Sequence, residues 1–312
     1  MDWTRRIRVQ HLQLLVTLAE TGSISEAARI SFSTQPALSK WLKELEENVG
    51  APLFERHARG LKTTVHGNML LGHAHRVLSE MDRAQHNLAA LLDGSSYRVA
   101  IGTSPASAPN LVPAAIMQFL RLHPKAQVEL QESTMNTLLD RLELGELDLV
   151  VGRLDNYAPR KNLRSEMLYD EAMKVICRPD HPLTHVENLT WDELYACDWI
   201  VWPAGTPIRS KLDMALTSAG RGPLPYRIES SSLVGNLWLL QYSDMLSIAS
   251  ERVAEHFTQR GLVVPLPFEL DATGSLGMCW RDEIHPDPSL PNLLESLRYA
   301  ASSQASTQLH LT

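Results

Sequence analysis

The sequence has only three cysteines, Cys177, Cys197 and Cys279. They form no pair spacing typical of zinc and do not suggest a disulfide framework. No stretch approaches about eighteen consecutive apolar residues, so no membrane span is expected. The start, MDWTRRIRVQHL, is not followed by the apolar run of a signal peptide, which makes the cytoplasm the expected location. The motifs of common enzyme chemistries are missing: there is no G-x-G-x-x-G, no Walker loop, no H-E-x-x-H and no G-x-S-x-G. The twelve histidines are scattered. His66, His73 and His75 are close in sequence, but the last two are two apart on a helix and face different ways. No metal site, cofactor or catalytic group is expected.

What is present is enough apolar material, 44% of 312 residues, for two or three domains with their own cores. The net charge of −7 argues at first against nucleic acid, but it is unevenly spread. Residues 1–66 hold nine Lys/Arg against seven Asp/Glu, so the excess of acid lies in the remainder. A slightly basic head on an acidic body suits a small DNA-binding module.

The head carries the clearest pattern. Residues 8–20 form a helix with Leu12, Leu15, Val16 and Ala19 on one side, stopped by Gly22. In GSISEAARISFSTQPALSKWLKELEE, Ser23 and Glu26 have capping-box spacing, and Ala27 and Ala28 give a small contact face. The pattern lapses at Ser31-Phe32-Ser33. A second helix starts near Thr34, with Pro36 in its first turn and Ala37, Leu38, Trp41, Leu42 and Leu45 inward. Two helices and a short break make a helix-turn-helix. The outward side chains, Gln35, Ser39, Lys40 and Lys43, suit base edges and phosphates. Beyond Gly50, Leu53 and Phe54 are core anchors that close the three-helix unit. Arg56, His57, Arg59 and Lys62 flank Gly60 in a turn that suits a wing along the DNA backbone. Residues 68–92 form one long helix with Leu70, Ala74, Val77, Met81, Ala84, Leu88 and Leu91 on a heptad seam, which implies pairing with a second copy.

The run AETGSISEAARISFSTQPALSKWLKELEENVGAPLFERHARGLKTTVHG resembles the head of the LysR-type transcriptional regulators. The matching positions are Ala27-Ala28, Gln35, Ser39, Leu45-Glu46, the segment Gly50 to Arg56, and Thr64 to Gly67. Thr63 and His66 depart from the pattern, the first where the family favours an apolar residue and the second where it favours a small one. The resemblance implies a DNA-facing set of Thr34, Gln35, Pro36, Ser39, Lys40 and Lys43 on the second helix, with Arg56, His57, Arg59 and Thr64 from the wing. The implied partners are double-stranded operator DNA with inverted-repeat half-sites and a second copy of the chain. A tetramer is a further step the resemblance suggests.

The body alternates strands and helices: YRVAIG, LVPAAIMQFLRLHP, AQVELQE, NTLLDRLELGE, LDLVVGR. That order gives a mostly parallel sheet with helical cover. A second unit opens near Met167 with KVICRP, then the strand WIVWP, helices from about Pro207 and Leu233, and the strand MLSIAS. GSLGMCWR and the last helix rejoin the first unit. The expected fold is therefore α plus α/β: a winged helix-turn-helix at 1–67, a linker helix at 68–94, and a two-lobed effector-binding domain similar to a periplasmic binding protein. The first lobe takes 95–166 and 271–303, the second takes 167–270, and 304–312 is a loose tail.

Ligands of open α/β sheets sit beyond the carboxyl ends of strands. Thr103 and Ser104 are placed there in the first lobe. In the second lobe Thr206 precedes Pro207, and Ser231 and Ser232 precede another helix. Hydroxyls and free N–H groups at these helix starts suit a small anion or organic acid. Arg153 supplies a charge and Trp202 an apolar wall, which favours an aromatic acid. The expected function is a sequence-specific transcription regulator controlled by that effector. The competing reading, a small-molecule-binding protein or small enzyme built on the body, leaves the head and seam without a purpose.

Overall fold

The computed structural model describes residues 3–5, 7–57, 60–93, 98–155, 157, 160, 162–282 and 289–308. Two compact units are present, a head of Met1–Asp93 to which Glu143–Glu146 also belongs, and a body drawn from Gly94–Leu142 and Leu147–Thr312.

In the head, α1 (Val9–Thr21) buries Leu12, Leu15 and Leu18 and ends at Gly22. The next helix, α2 (Ile24–Ile30), starts where Ser23 Oγ accepts the N–H of Glu26 at 3.4 Å. The expected capping box is only half made. The Glu26 carboxylate turns to Arg29, which donates to it at 3.0 and 2.6 Å, while the Ser23 N–H goes to Thr21 Oγ1. Ala27 and Ala28 are buried, and their small side chains let α1, α2 and α3 (Gln35–Val49) close on one another. The inward face of α3 is Leu38, Leu42 and Leu45, spaced four and three apart as a buried helical stripe requires. A hairpin comes next, β1 (Phe54–His57) against β2 (Gly60–Thr63), antiparallel, with Glu55 opposite Lys62. The N–H of Leu61 donates to Gly22 O at 2.7 Å, tying the hairpin to the end of α1. Gly60 has φ 122, and a side chain there would collide with the Gly22 carbonyl, so this approach requires glycine.

The long helix α4 (Val65–Asp93) starts three residues before the expected linker boundary. Its first turns belong to the head: Leu71 and Ala74 are buried in the head core, with Leu70 and Leu78 packed against it. Further along, Val77, Met81 and Leu88 on the expected seam are exposed.

The body has a seven-stranded mixed sheet. Its first-lobe part orders as β4 (Gln127–Glu132), β3 (Arg98–Thr103) and β5 (Leu149–Arg153), all parallel, joined through α5 (Leu111–Leu122) and α6 (Met135–Glu143). Then comes β6 (Leu163–Cys177), a single strand of 15 residues. The expected lobe boundary at 166/167 falls inside it, so the second unit does not open with a new strand. The early part of β6 pairs with β11 (Thr273–Arg281), and the later part, from Met173, pairs with β9 (Ser247–Ser250) and β10 (Val264–Pro265). One continuous strand thus serves both lobes, and β11 returns beside it and onward to β5.

The second lobe contains α7 (Trp191–Tyr195), β7 (Trp199–Val201), α8 (Pro207–Ser218), β8 (Tyr226–Glu229), α9 (Leu233–Gln241) and α10 (Glu251–Thr258). β7 and β8 pair in parallel around a core that includes Trp199, Leu212, Leu237 and Ile248. β8 has no apolar run and escapes a reading by pattern. The last helix, α11 (Ser289–Gln308), packs on α5. It runs through Gln308, past the tail boundary expected at Gln304, and the rest of that expected tail, 309–312, lies outside the described residues. Among the described residues no helix is long and apolar enough to cross a membrane, and no cluster of three or more His, Cys, Asp or Glu offers a metal site.

Candidate functional site

Two places bring the candidate residues together, one in each unit. On α3, Gln35, Pro36, Lys40 and Lys43 are exposed and Ser39 is half-exposed. At 100° per residue these positions fall within an arc of about 140° that does not overlap the Leu38-Leu42-Leu45 stripe. Thr34 is the N-cap of the helix, and its Oγ1 accepts the N–H of Ala37 at 3.4 Å. Lys40 and Lys43 lie 3.8 and 3.7 Å from Glu44 and Glu47, one turn on, but all four side chains are well exposed. Such pairs are worth little in water and leave both ammonium groups able to move to a phosphate. Arg56 and His57 are exposed on β1. Arg59 lies outside the described residues. Thr64 has a different task from the one expected of it. Its hydroxyl donates to Pro52 O at 2.7 Å and accepts from Gly67 N at 3.0 Å, capping α4 and fastening it to the loop before the wing.

Glu46 had no role assigned from its pattern. Its Oε1 accepts the N–H of Leu53 at 2.7 Å and of Phe54 at 3.1 Å. The carboxylate therefore joins α3 to β1 and fixes the wing relative to the helix beside it. Glu46→Ala is expected to cost about 1.5–3 kcal/mol, the range for hydrogen bonds to a charged group. Glu46→Gln keeps an acceptor and should cost less. Urea unfolding of the three chains measures both.

In the body, a cavity of about 340 Å³ lies between the lobes. The first lobe contributes Ser104 after β3, Thr134 to Asn136 at the start of α6, and Arg153 and Tyr157 at and after β5. The second lobe contributes Trp202 to Ile208, where β7 leads into α8, together with Ser231, Leu233, Ser250 and Val253. Most of the wall is carbon, from groups such as Met135, Trp202, Pro207, Ile208, Leu233 and Val253. The starts of α6, α8 and α9 meet at this wall, and helix starts present free N–H groups and positive potential.

The expected residues divide here. Ser104, Arg153, Trp202, Thr206 and Ser231 line the cavity; Thr103 and Ser232 are not among its lining. Thr103 is buried, with its hydroxyl 2.9 Å from Ser107 Oγ, which in turn donates to Val151 O at 2.8 Å. Ser232 caps α9 by accepting the N–H of Gly235 at 3.0 Å. Thr206 precedes α8 as expected but makes no side-chain cap, its hydroxyl donating back to Pro203 O at 2.7 Å. The Trp202 ring is held in place because its Nε1 donates to Ile248 O at 3.2 Å.

Arg153 is not the free charge expected of it. Its side chain is 3% exposed, and Nη2 donates to Glu171 Oε1 at 2.9 Å. Asp155 lies 4.0 Å from Nη1. Nε and Nη1 have no hydrogen-bond partner among the described residues. Arg153 is among the residues lining the cavity, its charge is balanced by Glu171 and Asp155, and the two nitrogens without a hydrogen bond are themselves buried, Nη1 on the side of Gly274. Burial pushes the Glu171 carboxyl above the usual carboxylate range, against the pull of Arg153 and of the Arg252 N–H that it accepts at 3.2 Å. Burial also pushes the thiols of Cys177 and Cys279 up, to about 12 and about 11, so both stay protonated at neutral pH. Thr134, Met135, Asn136, Tyr157 and Val253 were missed by sequence reasoning, since nothing in their own neighbourhoods marks them.

Residues 9–68 match the family described as bacterial regulatory helix-turn-helix protein, lysR family, and residues 92–302 match the LysR substrate binding domain. The chain is 31% identical over 308 residues to the HTH-type transcriptional regulator GbpR of Azospirillum brasilense, covering 98% of this chain and 90% of that one. It is 31% identical over 300 residues to the HTH-type transcriptional regulator PcaQ of Agrobacterium fabrum, covering 95% and 96%. In fold it is similar to the crystal structure of CbnR, a LysR family transcriptional regulator. The TM-score is 0.69 at 18% identity, over 95% of this chain and 99% of that one.

Proposed function

The chain belongs to the LysR family of DNA-binding transcriptional regulators, with an effector-binding domain behind the DNA-binding head, and from that premise we propose what each surface recognises. The head reads an operator through α3. Gln35 pairs with adenine, Ser39 and Lys40 reach neighbouring base edges, and Lys43, Arg56, His57 and Arg59 hold phosphates. Two copies pair through α4 and bind inverted half-sites; association of two such pairs would make a tetramer. The protein works in the cytoplasm, as a regulator and not an enzyme.

The effector is a small organic acid with an apolar body. The interlobe cavity carries this reading: the three helix starts at its wall favour an acid group, while the carbon-lined remainder favours a ring or short chain over a sugar. Its volume of about 340 Å³ is at the small end of the range for ligand pockets. Binding shifts the paired heads between two arrangements, by no more than the effector's preference for one of them.

Gln35→Ala should cost about 1–3 kcal/mol of discrimination between operator and random DNA. Lys43→Ala should weaken both alike and flatten the salt dependence. Equal loss on both duplexes for Gln35→Ala would remove base readout from that residue. For the cavity, a melting-temperature screen of the full chain against aromatic and aliphatic monocarboxylates, matched amides and sugars is the direct test. Acids should raise the melting temperature by mass action, and Ser104→Val and Ile208→Asp should each weaken the best of them. A sugar or a cation as best ligand would defeat the assignment.

A further inference from the structure

α2 ends in a backbone arrangement that normally belongs to glycine. The N–H of Phe32 reaches Arg29 O at 3.4 Å and the N–H of Ser33 reaches Ala28 O at 2.8 Å. These two bonds form a Schellman cap, in which the residue after the helix sits left-handed. That residue is Phe32, with φ 51, and among the described residues no other non-glycine has positive φ. A Cβ in this conformation crowds the carbonyl next to it, and glycine or asparagine fills the place at lower cost. The fold gives nothing back for it, because Phe32 is 100% exposed. Neighbouring Ile30 is exposed as well.

A strained backbone and a bare ring therefore coincide three residues before Gln35, so the two Cα atoms are at most about 11 Å apart. The face they border is polar: Thr34, Gln35, Ser39 and Lys40. We propose that Phe32 is a specificity-determining DNA contact, its ring lying against thymine methyl groups at the edge of the major groove that α3 enters. Thymine is the base whose major-groove edge offers a methyl group, and an apolar side chain is what reads it. The ring carries no charge, so it adds preference without adding to the salt dependence. The left-handed backbone holds it outward, clear of the head core. This inference rests on α3 being the helix that enters DNA.

The test uses the full chain and a duplex selected by that chain from a random pool. Phe32→Asn should lower affinity about five- to twentyfold with an unchanged salt slope, and Phe32→Tyr should stay within about twofold. The melting temperature of Phe32→Asn should hold or rise, since asparagine accepts the left-handed backbone. Replacing edge thymines by deoxyuridine, which lacks the methyl, should weaken the unaltered chain and leave Phe32→Asn indifferent. Affinity retained in Phe32→Asn while Gln35→Ala loses it would overturn the proposal and leave α3 as the reading helix. If neither change matters, the entry of α3 fails and the proposal with it. A fall in melting temperature would make Phe32 a packing residue. Loss of affinity without any effect of deoxyuridine would overturn the thymine contact. Intact DNA binding with lost transcription would assign the ring to a protein partner.

Discussion

Glu171→Ala is expected to lower the stability of the body by about 3–5 kcal/mol, the cost of leaving a buried charge without its partner. Arg153 and Glu171 are each 3% exposed at the side chain, and their 2.9 Å bond lies where β6 passes from one lobe to the other. The site is built around the guanidinium. Opposite Glu171 on β11 is Gly274, and a side chain there would occupy the space of Arg153 Nη1. The same carboxylate accepts the first N–H of α10 beyond Glu251, so it holds a strand and a helix as well as the charge. Replacing the pair together, Arg153→Met with Glu171→Leu, should recover most of the loss, because apolar side chains of similar size need no partner. Urea unfolding of the single and double variants measures this. A loss below about 1 kcal/mol in Glu171→Ala would mean that water reaches Arg153 and that the pair does not govern the body's stability. The double variant has a second use. It should fold yet bind the proposed acid poorly, separating the structural part of Arg153 from its proposed part in the cavity.

Met81→Glu, alone or with Val77→Glu, is expected to turn a dimer into a monomer and to weaken operator binding by about a hundredfold or more. The loss reflects the second head ceasing to act as an intramolecular ligand. Val77 is 45% exposed and Met81 52%, on the same side of α4 as exposed Leu88. Val77 also borders an apolar groove of about 610 Å³ formed with Ile7, Leu12, Val49, Leu53 and Met69. A single chain leaves this surface in water, and a matching helix from a second copy would cover it. Because Met81 lies beyond Leu71 and Ala74, which belong to the head core, the substitution should leave the helical circular dichroism intact. Sedimentation checks the mass and a shift titration checks the affinity. An unchanged sedimentation profile would remove α4 from the association.

Elements whose causes lie within four residues of one another were legible in the sequence alone. Leu38, Leu42 and Leu45 set the inner face of α3; Ser23 and Thr34 cap the helices they precede; Gly22 and Gly50 end α1 and α3. Ser232 before α9 was read as an effector contact, and only the structure shows it as a cap. The order of strands and helices in the body came from alternating periods, and with it the place where a cavity should lie. Folding in three dimensions settled which groups are spent elsewhere. The Thr64 hydroxyl is taken by Pro52 O, twelve residues away, and that of Thr103 by Ser107. Arg153 is taken by a carboxylate eighteen residues on, and Glu46 is given to the wing. Folding also joined the lobes through an unbroken β6, since a strand can change partners midway without any mark in its own residues. A hydrogen bond or an ion pair is fixed by distance in space, and beyond one helical turn the spacing along the chain no longer measures that distance.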